Sequence, residues 1–299
     1  MDGRAAALGA GTVLNALATG RGAAFGIDVE TRATVDLDPT SEVVGGEIAE
    51  DPDADTALIE RCVSLATERW GDGEGGTVRT NSDVPMAAGL KSSSAAANAT
   101  VLATCDALGL TIGDEGSSAD PDVTRLEACR LGVQAAREAG VTVTGAFDDA
   151  SASMFGGVCL TDNTEDALRS REAVDWDVLV WTPPERAYSA DADATRCEQV
   201  APMADLVADL AGEGRYAEAM TVNGLAFSAA LGFDDDPAVD AMPHATGVSL
   251  SGTGPSVVAV ADPSDPDADL DAVADAWSDR PGTLRRTTTR NDGARVLSE

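Results

Sequence analysis

The chain has 299 residues and carries 52 acidic against 20 basic side chains, a formal net charge of -32. Charge of this sign and size repels nucleic acid and anionic membranes, so both are excluded as partners. Hydrophobic residues make up 43% of the chain, which excludes an acidic disordered protein and allows a sizeable core. The acids recur along the whole length, which indicates a folded protein with the acidic coat of a salt-loving host.

Periodicity and capping signals predict interleaved strands and helices without regular βαβ units, an α+β chain in two lobes. The predicted elements are, in chain order, strands 5–8, 12–17, 31–37 and 77–81; helices 56–70, 92–108 and 121–139; a short helix from Asp148 or Asp149; strands 158–161 and 178–182; helices 203–211 and 216–231; a strand, glycine loop and further strand or helix start within 248–260; helix 270–277; and strands near 283–288. The polar stretch 162–175 is the predicted boundary between domains 1–162 and 163–299.

Five widely spaced cysteines form no C-x-x-C pair, which favours reduced, buried thiols over a zinc site or a disulfide framework. The N-terminus lacks a basic segment followed by an apolar stretch, and no uncharged apolar run reaches membrane-spanning length. The expected location is therefore the cytoplasm.

The strongest functional signal is VPMAAGLKSSSAA, residues 84–96, where a glycine turn leads into the serine-rich start of a helix. Unpaired backbone N–H groups and the helix dipole make such a start a good site for a polyphosphate. Lys91, the only lysine of the chain, adds a full positive charge at its mouth. Capping by the serines is the structural alternative, but the proline and the Gly-Leu pair exceed what a cap needs. The predicted phosphate loop comprises Pro85, Met86, Ala87, Ala88, Gly89, Leu90, Lys91, Ser92, Ser93, Ser94 and Ala95.

Competing motifs are absent. The sequence contains no G-x-x-x-x-G-K-[ST] of P-loop enzymes and no G-x-S-x-G of hydrolases, and its G-x-G segments lack the last glycine of the dinucleotide fingerprint. His244 is the only histidine, and nothing near it supports a catalytic triad.

The second signal is TGAFDDASASMFGG, residues 144–157, where two adjacent acids open a short helix in an otherwise uncharged stretch. One of them can be a simple helix cap. A kinase, however, needs a carboxylate to orient or deprotonate the attacking hydroxyl, and often another to hold magnesium. Asp148 and Asp149 are therefore both candidate catalytic residues.

A third, weaker signal is SLSGTGPSVV, residues 249–258, a glycine loop between apolar runs that allows close backbone approach to a ligand or another loop. Together the three segments resemble the GHMP kinase superfamily, whose members share an N-terminal motif, a P-x-x-x-G-L-x-S-S-[SA] phosphate loop and a C-terminal glycine motif in this order. The resemblance spans nearly the whole chain. Lys91 departs from the pattern, since many members have Gly or Ser there, and the first motif lacks the His-x-Asp of sugar kinases.

Three stretches are similar to the archaeal shikimate kinases of that superfamily: GLKSSSA (89–95), TGAFDDASAS (144–153) and GAGTVLNALATGRGAAFGID (9–28). The resemblance implies a two-lobed fold, with an N-terminal lobe like ribosomal protein S5 and a ferredoxin-like C-terminal lobe. It also implies transfer of the ATP γ-phosphate to the 3-hydroxyl of shikimate, in chorismate and aromatic amino-acid synthesis, with Mg²⁺ as cofactor.

The same resemblance assigns roles to single residues. Ser93 or Ser94 would coordinate Mg²⁺, and an acid on the preceding helix, Glu138 or Glu127, would complete the metal site. One aspartate of the 148–149 pair would face the substrate hydroxyl. The loop 252–256 would close over the phosphates, which adds Gly252 and Gly254 to the cofactor-binding residues.

An acceptor with a carboxylate and three hydroxyls needs a forked cation and a hydroxyl partner. Arg21, in the glycine-rich opening segment, and Arg290, in TRNDG, are the candidates for the carboxylate, and Asp28 is the candidate for a hydroxyl. Each of the three also fits an ordinary surface role.

Homoserine kinase is the nearest alternative, because its S-G-x-G-P-S motif is similar to residues 251–256. Its aspartate motif usually carries His-x-Asp-Asn, which residues 146–149 lack, so shikimate is favoured. A non-catalytic member of the superfamily would be expected to lose the phosphate loop or the acidic pair. An acidic protein-interaction module would not need the glycine loops.

Overall fold

The computed structural model describes residues 1–114, 116, 120–142 and 145–298. The elements within them are, in chain order, β1 (Asp2–Leu14), β2 (Arg21–Asp38), β3 (Val44–Ile48), α1 (Ala57–Trp70), β4 (Gly75–Ser82), α2 (Ser92–Ala107), β5 (Ile112–Gly113), β6 (Val123–Thr124), α3 (Arg125–Glu138), α4 (Phe147–Phe155), β7 (Val158–Asp162), β8 (Ala167–Glu172), β9 (Asp177–Thr182), α5 (Ala194–Glu198), α6 (Ala201–Gly212), α7 (Tyr216–Leu231), α8 (Asp236–Ala241), β10 (Gly247–Leu250), β11 (Val257–Ala261), α9 (Leu270–Trp277), β12 (Thr283–Thr288) and β13 (Arg295–Val296). Short 3₁₀ turns occur at Ser189–Asp191 and Met242–His244.

The long strand β2 organises the first sheet. β1 lies antiparallel along one of its edges, while β7 and β4 share the other edge, at residues 21–25 and 31–38 respectively. β13 extends the sheet beyond β1, β8 extends it beyond β7, and β3 extends it beyond β4. β3 and β4 run parallel with α1 as their crossover, so the sheet contains one βαβ unit that the sequence analysis did not predict.

Helices α1 to α4 pack against this sheet around a core of small and branched side chains, among them Val35, Ile59 and Leu102. α2 is buried on nearly every side, so its residues are small rather than amphipathic. β1 lies so close to α2 that a Cβ on Gly3 would be 2.2 Å from the Ala103 carbonyl oxygen. This packing holds the start of α2, and the loop before it, in one place.

The second sheet has the antiparallel order β10-β11-β9-β12, with α5 to α8 between β9 and β10 and α9 between β11 and β12. This is the β-α-β-β-α-β arrangement of the ferredoxin-like fold. Val178 and Val180 of β9 face the first lobe, whereas Leu179 and Trp181 pack against the outer helices. Both faces are therefore covered, which explains the unbroken apolar run in the sequence. The inner core also contains Phe25 of β2, so the two lobes share it.

The predicted two-lobed α+β fold is confirmed, with differences at the edges of elements. The runs 5–8 and 12–17 belong to one strand, β1, which ends at residue 14. α3 begins at Arg125 rather than near residue 121, because Thr124 caps it in a capping box with Glu127. The predicted boundary stretch 162–175 contains β8, which pairs with β7 in the first sheet. β8 escaped prediction because its sequence, ALRSRE, is polar and mostly exposed.

All five cysteines are buried free thiols, as the sequence analysis expected. Across the described part of the chain, no helix has both the length and the apolar content needed to span a membrane.

Candidate active site

A cavity of about 750 Å³ lies where the end of β1, the start of α2, the start of α4 and the loop after β10 meet. Loop 50–55 before α1, the turn 139–142 after α3 and segment 186–191 after β9 complete its wall. The lining therefore comes from both lobes, and it brings together all three segments that the sequence analysis singled out.

The phosphate loop, residues 85–95, turns sharply before α2. Its backbone enters the left-handed region at Ala87 (φ 53°), Gly89 (φ 79°) and Lys91 (φ 68°). The first hydrogen bond of α2 runs from the Ala95 N–H to the Lys91 carbonyl oxygen (3.0 Å), so the preceding amides of the helix are free of helical partners. An anion placed against this helix start would be bound by N–H groups and by the helix dipole.

The loop's side chains divide between the cavity and the core. Leu90 and Ala95 are buried in the core shared by the two lobes, and Ser94 is only 8% exposed and does not line the cavity. Pro85 and Ala88 also lie outside the lining. The predicted phosphate-loop residues that do line the cavity are Met86, Ala87, Gly89, Lys91, Ser92 and Ser93.

Lys91 lies inside the site rather than at its mouth. Its left-handed backbone turns the side chain inward, where only 3% of it is exposed. The Lys91 Nζ donates to Thr12 Oγ1 (2.8 Å) and pairs with Asp149 Oδ1 (2.9 Å). The single lysine thus joins the phosphate loop to β1 and to the start of α4.

Asp148 and Asp149 have different surroundings at the start of α4. The Asp149 side chain is 19% exposed and holds Lys91, whereas Asp148 is 5% exposed as a residue and is bound to Asn163. Burial raises the pKa of Asp148 to about 7, and the neighbouring charge of Asp149 adds to the rise. The charge of Lys91 and the hydrogen bond from Asn163 lower this pKa, but their effect is smaller. The site therefore favours one ionised carboxylate over two.

Asn163, which the sequence analysis missed, holds the start of α4 through its amide. Its Nδ2 donates to Asp148 Oδ1 (2.7 Å), and its Oδ1 accepts from the Asp148 N–H (3.1 Å) and from Thr161 Oγ1 (2.8 Å). Gly22 leaves room for the arrangement, because a Cβ there would lie 2.6 Å from Asp148 Oδ2. Asn163 carries no motif, and its position directly after β7 was the only available signal.

The C-terminal glycine loop contacts the phosphate loop directly. Ser251 Oγ donates to the Gly89 carbonyl oxygen (2.8 Å), and the Gly252 N–H donates to Thr12 Oγ1 (2.7 Å). Gly252 lines the cavity, whereas Gly254 packs against Phe233 outside it. The two loops and β1 therefore form one hydrogen-bonded unit around Lys91.

The three candidate acceptor residues lie elsewhere. Arg21 pairs with Asp205 of α6. Asp28 and Arg290 line a separate cavity of about 300 Å³, where Arg290 pairs with Asp28 (3.1 Å) and with two further acids. The pairs with Asp28 and Glu30 attach the C-terminal segment to β2. Arg186, which the sequence analysis did not single out, lines the main cavity instead.

The acids proposed to complete a metal site also lie outside the cavity lining. Glu138 pairs with Arg61 (2.5 Å) and accepts from Gln134 (2.8 Å) on the surface of α3. Glu127 belongs to the capping box at the start of the same helix. Of the four candidate metal ligands, Ser93, Ser94, Glu127 and Glu138, Ser93 alone lines the cavity.

Comparison with known proteins gives concordant results. The family profile described as GHMP kinases N terminal domain matches residues 57–157. A shikimate kinase of Halobacterium salinarum is 64% identical over 296 residues, which cover 99% of this chain and 100% of that protein. A shikimate kinase of Methanosarcina mazei is 46% identical over 98% of this chain and 96% of its own.

Solved structures with the same fold are more distant in sequence. Homoserine kinase from Cytophaga hutchinsonii matches with a TM-score of 0.69 at 15% identity, over 99% of this chain and 97% of that one. Methanococcus jannaschii mevalonate kinase matches with a TM-score of 0.71 at 12% identity, over 97% and 98%. At these identities the likeness concerns the fold.

Proposed function

The chain belongs to the GHMP kinase family, among its shikimate kinases, and we propose that it transfers the γ-phosphate of ATP to the 3-hydroxyl of shikimate. The observation that carries the proposal is the ion pair between the buried Lys91 and the partly buried Asp149, which lies at the start of α2 where a polyphosphate would bind. A cation and a carboxylate next to a phosphate site are what a phosphoryl transfer to an alcohol requires.

The nucleotide fits the part of the cavity that the first lobe builds. Its phosphates would contact the free N–H groups and the Ser92 and Ser93 hydroxyls at the start of α2. The same cavity has an apolar wall that includes Ile48, Leu58 and Met86, on which a base can lie. The contact between the Ser251 hydroxyl and Gly89 supports the predicted closure of the glycine loop over the phosphates.

The residues present fit Mg²⁺. Mg²⁺ takes few protein ligands and completes its shell with phosphate oxygens and water. Ser93 would hold it, because Ser93 lines the cavity at the start of α2, beside the proposed phosphate site. When bound, Mg²⁺ neutralises charge on the β- and γ-phosphates.

Asp149 would orient the acceptor hydroxyl and take its proton, since it lines the cavity and its carboxylate is paired with Lys91. The Lys91 ammonium has three protons, of which Thr12 and Asp149 occupy two. The third can donate to the phosphoryl oxygens, where negative charge moves during transfer. Asp148, whose pKa is raised, limits the repulsion between the site and the phosphates.

The test is an assay of ADP release at high KCl with Mg-ATP, offering shikimate, homoserine and mevalonate in parallel. Turnover with shikimate alone supports the proposal. Turnover with homoserine instead would show that the protein is a kinase but that its acceptor is not shikimate. Absence of turnover with all three, on protein whose folding is verified by circular dichroism, would contradict the proposal and favour a non-catalytic member of the family.

A further inference from the structure

We propose that Arg186 binds the carboxylate of the acceptor and so makes the cavity specific for an anionic alcohol. The inference rests on the proposed function and adds to it a residue that determines specificity.

Arg186 lies on a segment, residues 183–193, that leaves β9 and crosses to the first lobe before α5 begins. The Ala187 N–H donates to the Ala87 carbonyl oxygen in the phosphate loop (2.9 Å). Ser189 Oγ lies 3.0 Å from Thr253 Oγ1 in the glycine loop. The segment is therefore attached to both loops that surround Lys91, and residues 186–191 line the cavity on this side.

The cavity is strongly acidic. The carboxylates in its lining are Glu50, Asp51, Asp53, Asp55, Asp148, Asp149 and Asp191. Lys91 and Arg186 are the cationic side chains in that lining, among the residues that the structure describes. Lys91 is already paired with Asp149, so Arg186 is left to offset the charge of an incoming anion.

Arg186 has a guanidinium available for that purpose. Its side chain forms no ion pair or hydrogen bond with any other described residue, although Asp191 lies on the same segment. A guanidinium presents its N–H groups as a planar fork, which matches the two oxygens of a carboxylate. In a cavity lined by so many acids, a carboxylate without such a partner would be repelled.

The experiment compares Arg186→Met and Arg186→Lys with the wild-type chain and with Arg285→Met, an exposed arginine outside this cavity. KM is measured for shikimate, for its uncharged methyl ester and for ATP. Loss of a charge-assisted bond predicts that Arg186→Met raises KM for shikimate about 10- to 100-fold, while KM for ATP changes less than about twofold. KM for shikimate in Arg186→Lys should lie between those of the wild type and Arg186→Met, because an ammonium keeps the charge but lacks the planar fork of a guanidinium. Arg285→Met should match the wild type.

The ester decides whether the carboxylate is what Arg186 recognises. The wild-type chain should prefer shikimate to the ester, and Arg186→Met should lose that preference. Unchanged KM for shikimate in Arg186→Met, or an effect on KM for ATP alone, would overturn the inference while leaving the kinase activity standing. A wild-type chain that is folded but does not phosphorylate shikimate would overturn the proposed function and this inference together.

Discussion

Lys91 Nζ lies 2.9 Å from Asp149 Oδ1, so the phosphate loop and the start of α4 meet in one ion pair inside the cavity. If the pair acts as a unit, Lys91→Met should lower kcat by about 10²- to 10³-fold, because the transferred phosphoryl group loses a positioned donor. The double variant Lys91→Met/Asp149→Asn should lose little more than its worse single variant. Steady-state kinetics of the four proteins measures this, and additive losses would show that the two residues act separately.

The two aspartates should respond differently to removal of their charge. Asp149→Asn should lower kcat by about 10²- to 10⁴-fold, the range for loss of a general base. Asp148→Asn should retain a substantial part of kcat, because the amide oxygen can still accept from Asn163. Equal, mild losses in both variants would remove the catalytic assignment from this pair.

Asp148 should make stability depend on pH. Its pKa is raised from 3.8 to about 7 in the fold, so between these values the folded chain keeps a proton that the unfolded chain has released. The bound proton contributes to the free energy of unfolding, and this contribution is fully present below pH 3.8 and is lost as pH rises to about 7. The Tm of Asp148→Asn minus that of the wild type should therefore increase from pH 4.5 to pH 7.5. A constant difference in Tm between the two proteins would mean that the Asp148 carboxyl of the folded protein is ionised throughout that range.

The contact between the two glycine loops should be sensitive to a single methyl group. Gly89 has φ 79°, and a Cβ there would lie 2.1 Å from the Ser251 carbonyl oxygen. Gly109 has φ 73° with nothing within 4 Å, so Gly109→Ala measures the backbone strain alone, about 1–2 kcal/mol. Gly89→Ala should lower the free energy of unfolding by more than this and should raise KM for ATP. Equal losses of stability in Gly89→Ala and Gly109→Ala would mean that the phosphate loop and the glycine loop separate at little cost.

The net charge of -32 should make the fold depend on salt. Exposed carboxylates repel one another over a screening length of about 10 Å at 0.1 M salt and about 3 Å at 1 M. The Tm should rise steadily with KCl, and most steeply below 1 M, in a thermal scan from 0.1 to 3 M. A flat Tm would show that repulsion between the exposed carboxylates has little effect on the stability of the fold.

Local signals were sufficient for much of the fold. Residues 92–108, with no glycine or proline, and residues 270–277, between an aspartate cap and exposed turns, are helices in the structure as predicted. Local signals were insufficient where the structure of a segment depends on its neighbour. The polar strand β8 forms only because β7 offers it an edge, and α3 begins where Thr124 and Glu127 cap each other rather than at the proline.

The sequence by itself determined the chemistry that is available: a serine-rich helix start after a glycine turn, one lysine, two adjacent aspartates and a second glycine loop. These are local features, readable because a few consecutive residues make them. Only the tertiary structure decided that Lys91 turns inward to Asp149, that Asp148 is bound by Asn163, and that Arg186 rather than Arg21 or Arg290 reaches the cavity. The physical reason is that a charged side chain pairs with whatever the packing of the two lobes brings beside it, and those partners are far apart in the chain.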